Sequence, residues 1–371
     1  MDKLFKCLVL ALFTVMNLST KANANDLSLS SNNPEAEISR RLAGLSLPLS
    51  APASDAHLRR KLTDYLDKGS HSTERMLGRA NQYFPVFEYY LQKHGMPESL
   101  KYLAVAESML VPGAVSGARA AGLWQLMPAT AREMGLRVDG IIDERLDLYR
   151  STEAAVLMLK SLHQQFGDWH LALAAYNCGP GRVRRAIRAA GGHTYYPKVK
   201  RFLPRESQKY VAAYVAAAYT VNYYGDYGLT PASYLLEEDV ASLKIHRKLN
   251  LRRMAKDCEL SYKQIRKMNP SFLRGYIPLN AVGYRLRVPR EHKWTVKQYL
   301  WGRPNLVMLD EAPELVLTDQ IAADMGFSAK QFFFAGIAPE RLIGKSTIAA
   351  RFAEQQLNHQ LFKDYDAVAM N

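Results

Sequence analysis

The chain has 371 residues, of which 48% are hydrophobic, and this composition excludes an intrinsically disordered protein. A chain of this length is expected to fold into about two or three domains. Its formal net charge of +14 predicts affinity for a polyanion, and nucleic acid, anionic lipid and an anionic cell-wall polymer would all satisfy that condition.

Residues 1–24 have the pattern of a secretory signal peptide. Two lysines precede the apolar run 7–16, and Ala-Asn-Ala at 22–24 offers a cleavage site. The run is shorter than the roughly 20 apolar residues that a membrane span needs. The sequence therefore predicts export to the periplasm or cell envelope, and it leaves membrane association and oligomeric state open. Cys178 and Cys258 would remain after cleavage, and free thiols are favoured over a disulfide between them.

Residues 25–55 are rich in Ser, Asn, Pro and Ala, and they are predicted to be a linker without regular structure. Apolar residues at helical spacing then predict helices over 57–66 and 73–94, with a kink or break at Pro85. These helices are expected to brace the domain that follows.

Further helices are predicted in the same domain. Ser151 is expected to cap an amphipathic helix, and two more helices are predicted over 170–177 and 182–190. A helix over 210–224 is apolar nearly all round, as expected of a central core helix. Because no strand pattern occurs here, residues 56–230 are predicted to form an all-α domain.

The pattern changes after this domain. Residues 240–290 read β-α-α-β, with helices over 251–257 and 262–268 and a closing strand over 284–289. This order predicts a small independent module.

The C-terminal region, 291–371, contains a weak internal repeat. Residues 321–332 share five positions with residues 254–265 of the module. A second, degenerate module in this region is therefore left open.

One carboxylate, Glu107, is placed unusually. It follows Leu100, Leu103 and Ala104 at helical spacing, so a helix would carry the acid on its own apolar face. Pro112 ends the helix soon afterwards, which puts Glu107 near the negative end of the helix dipole. Both effects disfavour the ionised form and predict a raised pKa. The alternative is an ordinary glutamate on a helix surface.

Motifs of other enzyme classes are missing. The sequence contains no HExxH, CxxC or GxSxG motif and no phosphate-binding loop, and its histidines do not cluster. We therefore expect no metal and no cofactor, and a chemistry based on carboxylate, amide and phenol groups. Nucleic acid is suggested as a partner by charge alone, without a motif, and is not expected.

Four motifs in succession resemble those of one enzyme family. They are Ala-Glu-Ser at 106–108, Ser-Gly at 116–117 leading to Gly-Leu-Trp-Gln-Leu-Met-Pro at 122–128, Ala-Ala-Tyr-Asn at 174–177, and Glu206 with Tyr210 and Val211. Their order and spacing resemble the soluble-type lytic transglycosylases of the lysozyme-like superfamily. A LysM-like peptidoglycan-binding module follows, as in the membrane-bound D type of that family. The resemblance implies a mainly α fold, with a lysozyme-like all-helical catalytic domain followed by a small α+β module.

The resemblance also implies a reaction. Members of this family cleave the β-1,4 bond between N-acetylmuramic acid and N-acetylglucosamine in peptidoglycan glycan strands without water, and leave a 1,6-anhydro end. Glu107 would be the single catalytic carboxyl, first as general acid and then as general base. A hydrolytic muramidase on the same fold is one alternative, and a non-catalytic wall-binding scaffold is another.

A hydrolase would need a second carboxylate within about 5 to 9.5 Å of the first. The candidates lie in one loop, where a solvated or helix-capping role is favoured for each: Asp139, Asp143, Glu144 and Asp147.

Substrate contacts are implied by the same motifs. Ser116 and Gln125 would hydrogen-bond the sugars, and Met127 with Trp124 would line the cleft. Ser116 could instead be a turn residue, Gln125 a helix cap, and both Met127 and Trp124 core residues.

Other motif residues would hold the acid or the substrate. Tyr176 is expected to position the Glu107 carboxyl, and both Tyr176 and Asn177 are substrate-binding candidates. The supporting candidates are Ser108, Glu206 and Tyr210. Asn177 could instead serve the turn after its helix, and Glu206 could pair with a neighbouring arginine.

Two features leave wall binding open. The arginines between 182 and 188 would either attract an anionic wall or form a solvated basic face. Lys248-Leu249-Asn250 stands where LysM modules usually have Gly-Asp-Thr, so glycan binding and structural packing are both open roles for the module.

Overall fold

The computed structural model describes residues 34–233, 239–279 and 283–301. The predicted signal peptide and the second half of the internal repeat lie outside the described residues. In the part of the chain that is described, no helix is both long enough and apolar enough to cross a membrane.

The first domain is helical. Its α-helices are α1 (Pro34–Ala43), α2 (Ala56–Thr63), α3 (Ser70–Lys93), α4 (Tyr102–Ser108), α5 (Pro128–Glu133), α6 (Leu148–Phe166), α7 (Trp169–Cys178), α8 (Pro180–Ala189), α9 (Tyr196–Lys200) and α10 (Arg205–Tyr223). Helix α10 contacts α2, α4 and α7 and is buried along most of its length. Its buried alanines, such as Ala212 and Ala216, let the neighbouring helices approach closely. The predicted central core helix is confirmed.

The stretch predicted as a linker contains helix α1. Its residue Ile38 is buried, and the Arg41 guanidinium lies 5.0 Å from the centre of the Tyr223 ring and pairs with Asp226 at 2.9 Å. Contacts with residues far along the chain therefore order this segment, and local composition does not reveal them. The prediction of an unstructured linker is wrong for residues 34–43.

Helix α3 continues through Pro85 without a break. A proline removes one backbone hydrogen bond from a helix and crowds the preceding turn. On either side of Pro85, Phe84 and Phe87 are buried in the core, and this packing holds the helix together. Of the predicted kink or break at Pro85, the break is therefore wrong.

Helix α6 begins one turn earlier than predicted. The Asp147 carboxylate accepts hydrogen bonds from the N–H groups of Tyr149 and Arg150, so Asp147 is the N-cap. The hydroxyl of Ser151 donates back to the Asp147 carbonyl at 2.6 Å. The predicted cap at Ser151 is wrong, because both residue types can cap and the spacing of apolar residues did not distinguish them.

The second domain has the predicted β-α-α-β order. Its elements are β1 (Val240–Ile245), β2 (Leu249–Asn250), α11 (Leu251–Asp257), α12 (Tyr262–Met268), β3 (Tyr276–Ile277), β4 (Tyr284–Pro289) and α13 (Lys293–Leu300). Strand β1 pairs antiparallel with β4, and β2 pairs antiparallel with β3. The Asn250 side chain caps α11 by accepting from the Arg253 N–H. Both predicted helices and the closing strand are confirmed.

This module is docked onto the first domain. Ile142, from the loop between α5 and α6, is fully buried in the module core, where Phe272 also lies. Next to it, the Asp143 N–H donates to the Ser271 carbonyl at 3.0 Å. Part of the module core therefore comes from the first domain, a contact that the sequence did not predict.

Candidate active site

Glu107 lies at the end of α4, whose residues 102–105 are buried. The next residue but one, Met109, turns the chain into the left-handed region with φ 52° and ends the helix. The Glu107 side chain is partly buried, and its pKa is raised to about 7. Burial is the largest cause, the hydrogen bond from Tyr210 opposes it, and the charge of Glu206 adds to it. The predicted raised pKa is confirmed.

The carboxyl of Glu107 is held by a phenol. Tyr210, buried on α10, donates its hydroxyl to Glu107 Oε1. Tyr176, the residue expected to make this contact, donates instead to the Trp124 carbonyl at 2.7 Å. Burial raises the pKa of Tyr176, and the charge of Glu107 adds to this effect. Tyr210 therefore holds the Glu107 carboxyl, as had been expected of Tyr176, because α10 packs against α4.

The motif loop, residues 114–127, closes on itself beside α4. The amide N–H groups of Ala121 and Leu126 each donate to the other residue's carbonyl, at 3.1 and 3.2 Å. Ser108, next to the acid, donates its hydroxyl to the Leu123 carbonyl at 2.8 Å and so ties this loop to α4. Gly122 has φ 83°, and a side chain there would meet the Arg145 carbonyl oxygen.

Gln125 also has a left-handed backbone, with φ 47°. Its side-chain nitrogen donates to the carbonyls of Ala114 and Gly122, at 3.2 and 2.9 Å. Ser116 accepts a hydrogen bond from the Ala120 N–H at 3.0 Å, which is the predicted turn role. Both candidate substrate contacts are thus fixed in orientation by the loop itself.

Two candidate cleft residues have different surroundings. Met127 is 44% exposed, whereas Trp124 is fully buried. The Trp124 ring packs 4.8 Å from the ring centre of Phe87, and its N–H donates to the Thr152 hydroxyl. Trp124 is therefore a core residue, the alternative role considered for it.

Asn177 connects two helices of the site. Its side-chain oxygen accepts a hydrogen bond from the Ser207 hydroxyl at 2.6 Å, which joins the end of α7 to the start of α10. Glu206, beside Ser207, is exposed, and among the described residues it forms no ion pair with Arg201 or Arg205. Its charge acts on Glu107 instead.

The other candidate carboxylates have structural contacts. Asp147 caps α6, and Asp143 forms a buried ion pair with Arg145 at 2.7 Å. Glu144 accepts from the Arg137 N–H, and Asp139 accepts from the N–H groups of the residues that follow it, including Ile142. The predicted capping role is confirmed for Asp147 and for Asp143, whose carboxylate accepts from the Arg145 N–H at the start of a short 3-10 helix, whereas the burial of Glu144 contradicts a solvated face for that residue.

Two arginines near the site were not predicted. Arg79 donates from Nε and Nη2 to the Met109 carbonyl, directly after the Glu107 helix. Arg145 donates from Nη1 to the carbonyls of Arg119 and Leu126, on either side of Gln125. Because backbone carbonyls carry no residue signature, no sequence motif could have indicated these contacts.

Within the described residues, Cys178 and Cys258 are free thiols. Arginines on α8 form an exposed basic face: Arg182, Arg184, Arg185 and Arg188.

Comparison with known families gives two matches. The transglycosylase SLT domain matches residues 84–198, and the LysM-like domain of lytic transglycosylase MltD matches residues 240–301. With the observed helices and strands, these matches confirm the predicted fold class, a mainly α lysozyme-like domain followed by a small α+β LysM-like module. The chain carries a transglycosylase SLT domain. More specifically, it joins this domain to the LysM-like module of the MltD type.

Two curated relatives and one solved structure are similar to this chain. Membrane-bound lytic murein transglycosylase D of Escherichia coli K12 is 30% identical over 69% of this chain. The chain spans 57% of that relative's length. Membrane-bound lytic murein transglycosylase F of Desulfosudis oleivorans is 32% identical, over 34% of this chain and 28% of its own. The solved 70 kDa soluble lytic transglycosylase SLT70 of E. coli is 26% identical, over 54% of this chain and 31% of its own, with a TM-score of 0.35.

Proposed function

We propose that this chain is a lytic transglycosylase of the cell envelope that cleaves peptidoglycan glycan strands. Glu107 is its single general acid and base, and the product carries a 1,6-anhydro-N-acetylmuramic acid end. The observation that carries the proposal is the environment of Glu107, a partly buried carboxyl with a pKa of about 7 and a tyrosine donor on one oxygen. A group with this pKa can give and regain a proton near neutral pH.

The reaction needs no water and no second carboxylate. Protonated Glu107 gives its proton to the glycosidic oxygen as the bond from that oxygen to the anomeric carbon of N-acetylmuramic acid breaks. The carboxylate then removes the proton from the 6-hydroxyl of the same sugar, and the 6-oxygen bonds to the anomeric carbon. Glu107 ends protonated, as it began, and the two products together contain all atoms of the substrate.

Tyr210 and Glu206 act on the two states of the acid in opposite directions. The Tyr210 hydroxyl stabilises the carboxylate that exists between the two steps. The negative charge of Glu206 favours the protonated form that begins the reaction. Their opposing effects keep the proton of Glu107 exchangeable.

The motif loop would hold the sugars. The side-chain nitrogen of Gln125 donates to two loop carbonyls. Its side-chain oxygen would therefore be the atom that accepts a hydrogen bond from an acetamido N–H of the sugar. Met127 offers an exposed apolar surface beside it. This surface is supported by the structural contacts of Ser116, Tyr176 and Asn177. Direct contacts with the substrate are also proposed for Ser116 and Asn177.

The test is product analysis. Purified sacculi are digested with the wild-type chain, and the muropeptides are identified by mass spectrometry. Products lighter by one water than reducing muropeptides are expected, and they carry the anhydro end. Reducing ends would instead identify a hydrolytic muramidase.

Substitution of the acid completes the test. Glu107→Gln is expected to abolish product release, whereas the matched change Glu133→Gln, on the exposed side of α5, leaves it intact. Wild-type activity in Glu107→Gln would contradict the mechanism. A wild-type chain that sediments with sacculi but releases no product would identify a binding scaffold.

A further inference from the structure

The LysM-like module contacts the catalytic domain through the segment 139–145, and also where Arg137 donates to the Tyr284 hydroxyl at 3.1 Å and where Arg285 lies 4.8 Å from the ring centre of Tyr149. Ile142 of this segment is buried in the module core. On each side the backbone is paired with the module: the Asp143 N–H donates to the Ser271 carbonyl at 3.0 Å, and the Leu273 N–H donates to the Ile141 carbonyl at 2.9 Å. The module therefore helps to hold this segment in position, together with hydrogen bonds inside the first domain such as that from the Glu144 N–H to the Arg137 carbonyl.

The same segment continues into a buried ion pair. Arg145 Nε and Nη2 donate to the two carboxylate oxygens of Asp143, at 2.9 and 2.7 Å. Both side chains are largely buried, with 8% and 11% of their surface exposed. A bidentate pair of this kind fixes the plane of the guanidinium group.

The remaining donor of Arg145 faces the motif loop. Its Nη1 donates to the carbonyls of Arg119 and Leu126, at 2.6 and 3.1 Å. Arg119 and Gln125 both have left-handed backbones, with φ 67° and 47°. Such conformations persist only where the surroundings impose them, and Arg145 is a buried group that holds the loop at two points.

We propose that Arg145 is a positioning residue for the active-site loop and that docking of the LysM-like module holds Arg145 in place. Contacts therefore run from the module core through Ile142 and Asp143 to Arg145, and from there to the loop that carries Gln125. The module acts as a structural brace of the active site, whether or not it also binds glycan. The kinetic part of this inference rests on the proposed transglycosylase function.

The first test is Arg145→Lys in the full chain. Lysine keeps the positive charge beside Asp143. It lacks the planar guanidinium group, so it cannot donate to the carboxylate and to both carbonyls at the same time. We expect kcat on isolated glycan strands to fall about 10- to 100-fold, because the loop is displaced. The pH at half-maximal rate should stay unchanged, since Arg145 has no part in the pKa of Glu107.

A merely structural role would give a different result. The rate is expressed per folded molecule, with the folded fraction taken from a denaturation curve at the assay temperature. If the rate per folded molecule equals that of the wild type, Arg145 does not position the loop and the proposal fails.

The second test does not depend on activity. Ile142→Ala shortens the side chain that the docking segment buries in the module core, and Ile277→Ala makes a similar cavity in the same core at a position outside the docking segment. Hydrogen exchange is measured at the amides of Ala121 and Leu126, whose bonds close the motif loop. The comparison is made where β1 and β4 remain protected, so that the module is folded in both variants.

Faster exchange at these amides in Ile142→Ala, but not in Ile277→Ala, is the expected result. Equal exchange in the two variants would overturn the coupling between module and loop. If the wild-type chain releases no glycan product, the proposed function fails, and the exchange experiment still decides the coupling.

Discussion

Glu107 is destabilising when it is ionised. Its pKa is about 7 in the folded chain and near the ordinary value of 4.5 in the unfolded chain. Below pH 4.5 both states are protonated and the group has no effect. As pH rises from 4.5 to 7, the unfolded state releases its proton first, so stability is lost across this window and the full cost remains above it.

Glu107→Gln should therefore stabilise the chain at alkaline pH. The amide stays neutral, and we expect a gain in unfolding free energy of up to about 3 kcal/mol at pH 8 and almost none at pH 4. Urea unfolding at the two pH values measures this difference. Equal gains at both would mean that the carboxyl is not desolvated.

The rate of glycan cleavage is expected to fall as pH rises through about 7, because the first step needs protonated Glu107. Tyr210→Phe removes the hydrogen bond that lowers the pKa of Glu107, so the fall should move to higher pH while the maximal rate decreases. Tyr214→Phe is the control on the same helix, since its hydroxyl donates to the Ser99 carbonyl. A pH–rate profile that is flat, or unmoved by Tyr210→Phe, would contradict this account.

The sequence predicted the raised pKa of Glu107, but it did not predict which tyrosine donates a hydrogen bond to the carboxyl. The raised pKa of Glu107 follows from apolar spacing and the nearby helix end, which are local properties. The choice of Tyr210 over Tyr176 depends on how α10 lies against α4, and these helices are about a hundred residues apart in sequence. Both phenols were candidates, but only their placement decides which one donates to the carboxyl.

At the scale of elements, the motif loop depends on a glycine. Gly122 has φ 83°, and an added Cβ would lie 1.9 Å from the Arg145 carbonyl oxygen. We expect Gly122→Ala to destabilise the domain by about 2 to 4 kcal/mol, through backbone strain and this clash.

Gly117→Ala in the same loop is the matched control. No atom lies within 4 Å of an added Cβ there, so its effect should stay within about 0.5 kcal/mol. Thermal unfolding of both variants measures the difference, and similar midpoints would show that the loop tolerates displacement at Gly122.

Helices and strands were predicted correctly where interactions between residues close in sequence determine them, and wrongly where contacts between distant residues do. Helices α11 and α12 were predicted with their observed bounds, because caps and apolar spacing are local. Helix α1 was missed, since what orders it is the contact of Arg41 with Tyr223 and Asp226. The break at Pro85 was wrong for the same reason, because core packing outweighs a local penalty.

At the scale of the whole molecule, the net charge of +14 is concentrated partly on α8. Replacing its four exposed arginines by glutamine should weaken binding to isolated sacculi at low ionic strength, with the difference vanishing in high salt because exposed charges are screened. The substituted positions are Arg182, Arg184, Arg185 and Arg188.

A control variant removes the same charge from the module. Co-sedimentation with sacculi across a salt series compares the two variants. Equal loss of binding in both would assign the effect to net charge rather than to the α8 face. The control positions are Arg252, Arg253, Lys256 and Lys263.

The arrangement of the two domains was beyond sequence reasoning. Each domain could be predicted from its own pattern, but the docking segment reads as an ordinary polar loop. Ile141 and Ile142 are two adjacent apolar residues there, and so short an apolar run does not indicate that it belongs to another domain's core.

That shared core limits how this chain can be recombined. A chimera in which an unrelated wall-binding domain replaces residues 240–301 would expose Ile142 to water and leave the backbone groups of Ile141 and Asp143 without their partners. The two domains are joined by packing as well as by the peptide chain. For protein engineering, the helical domain and its LysM-like module are therefore one exchangeable unit.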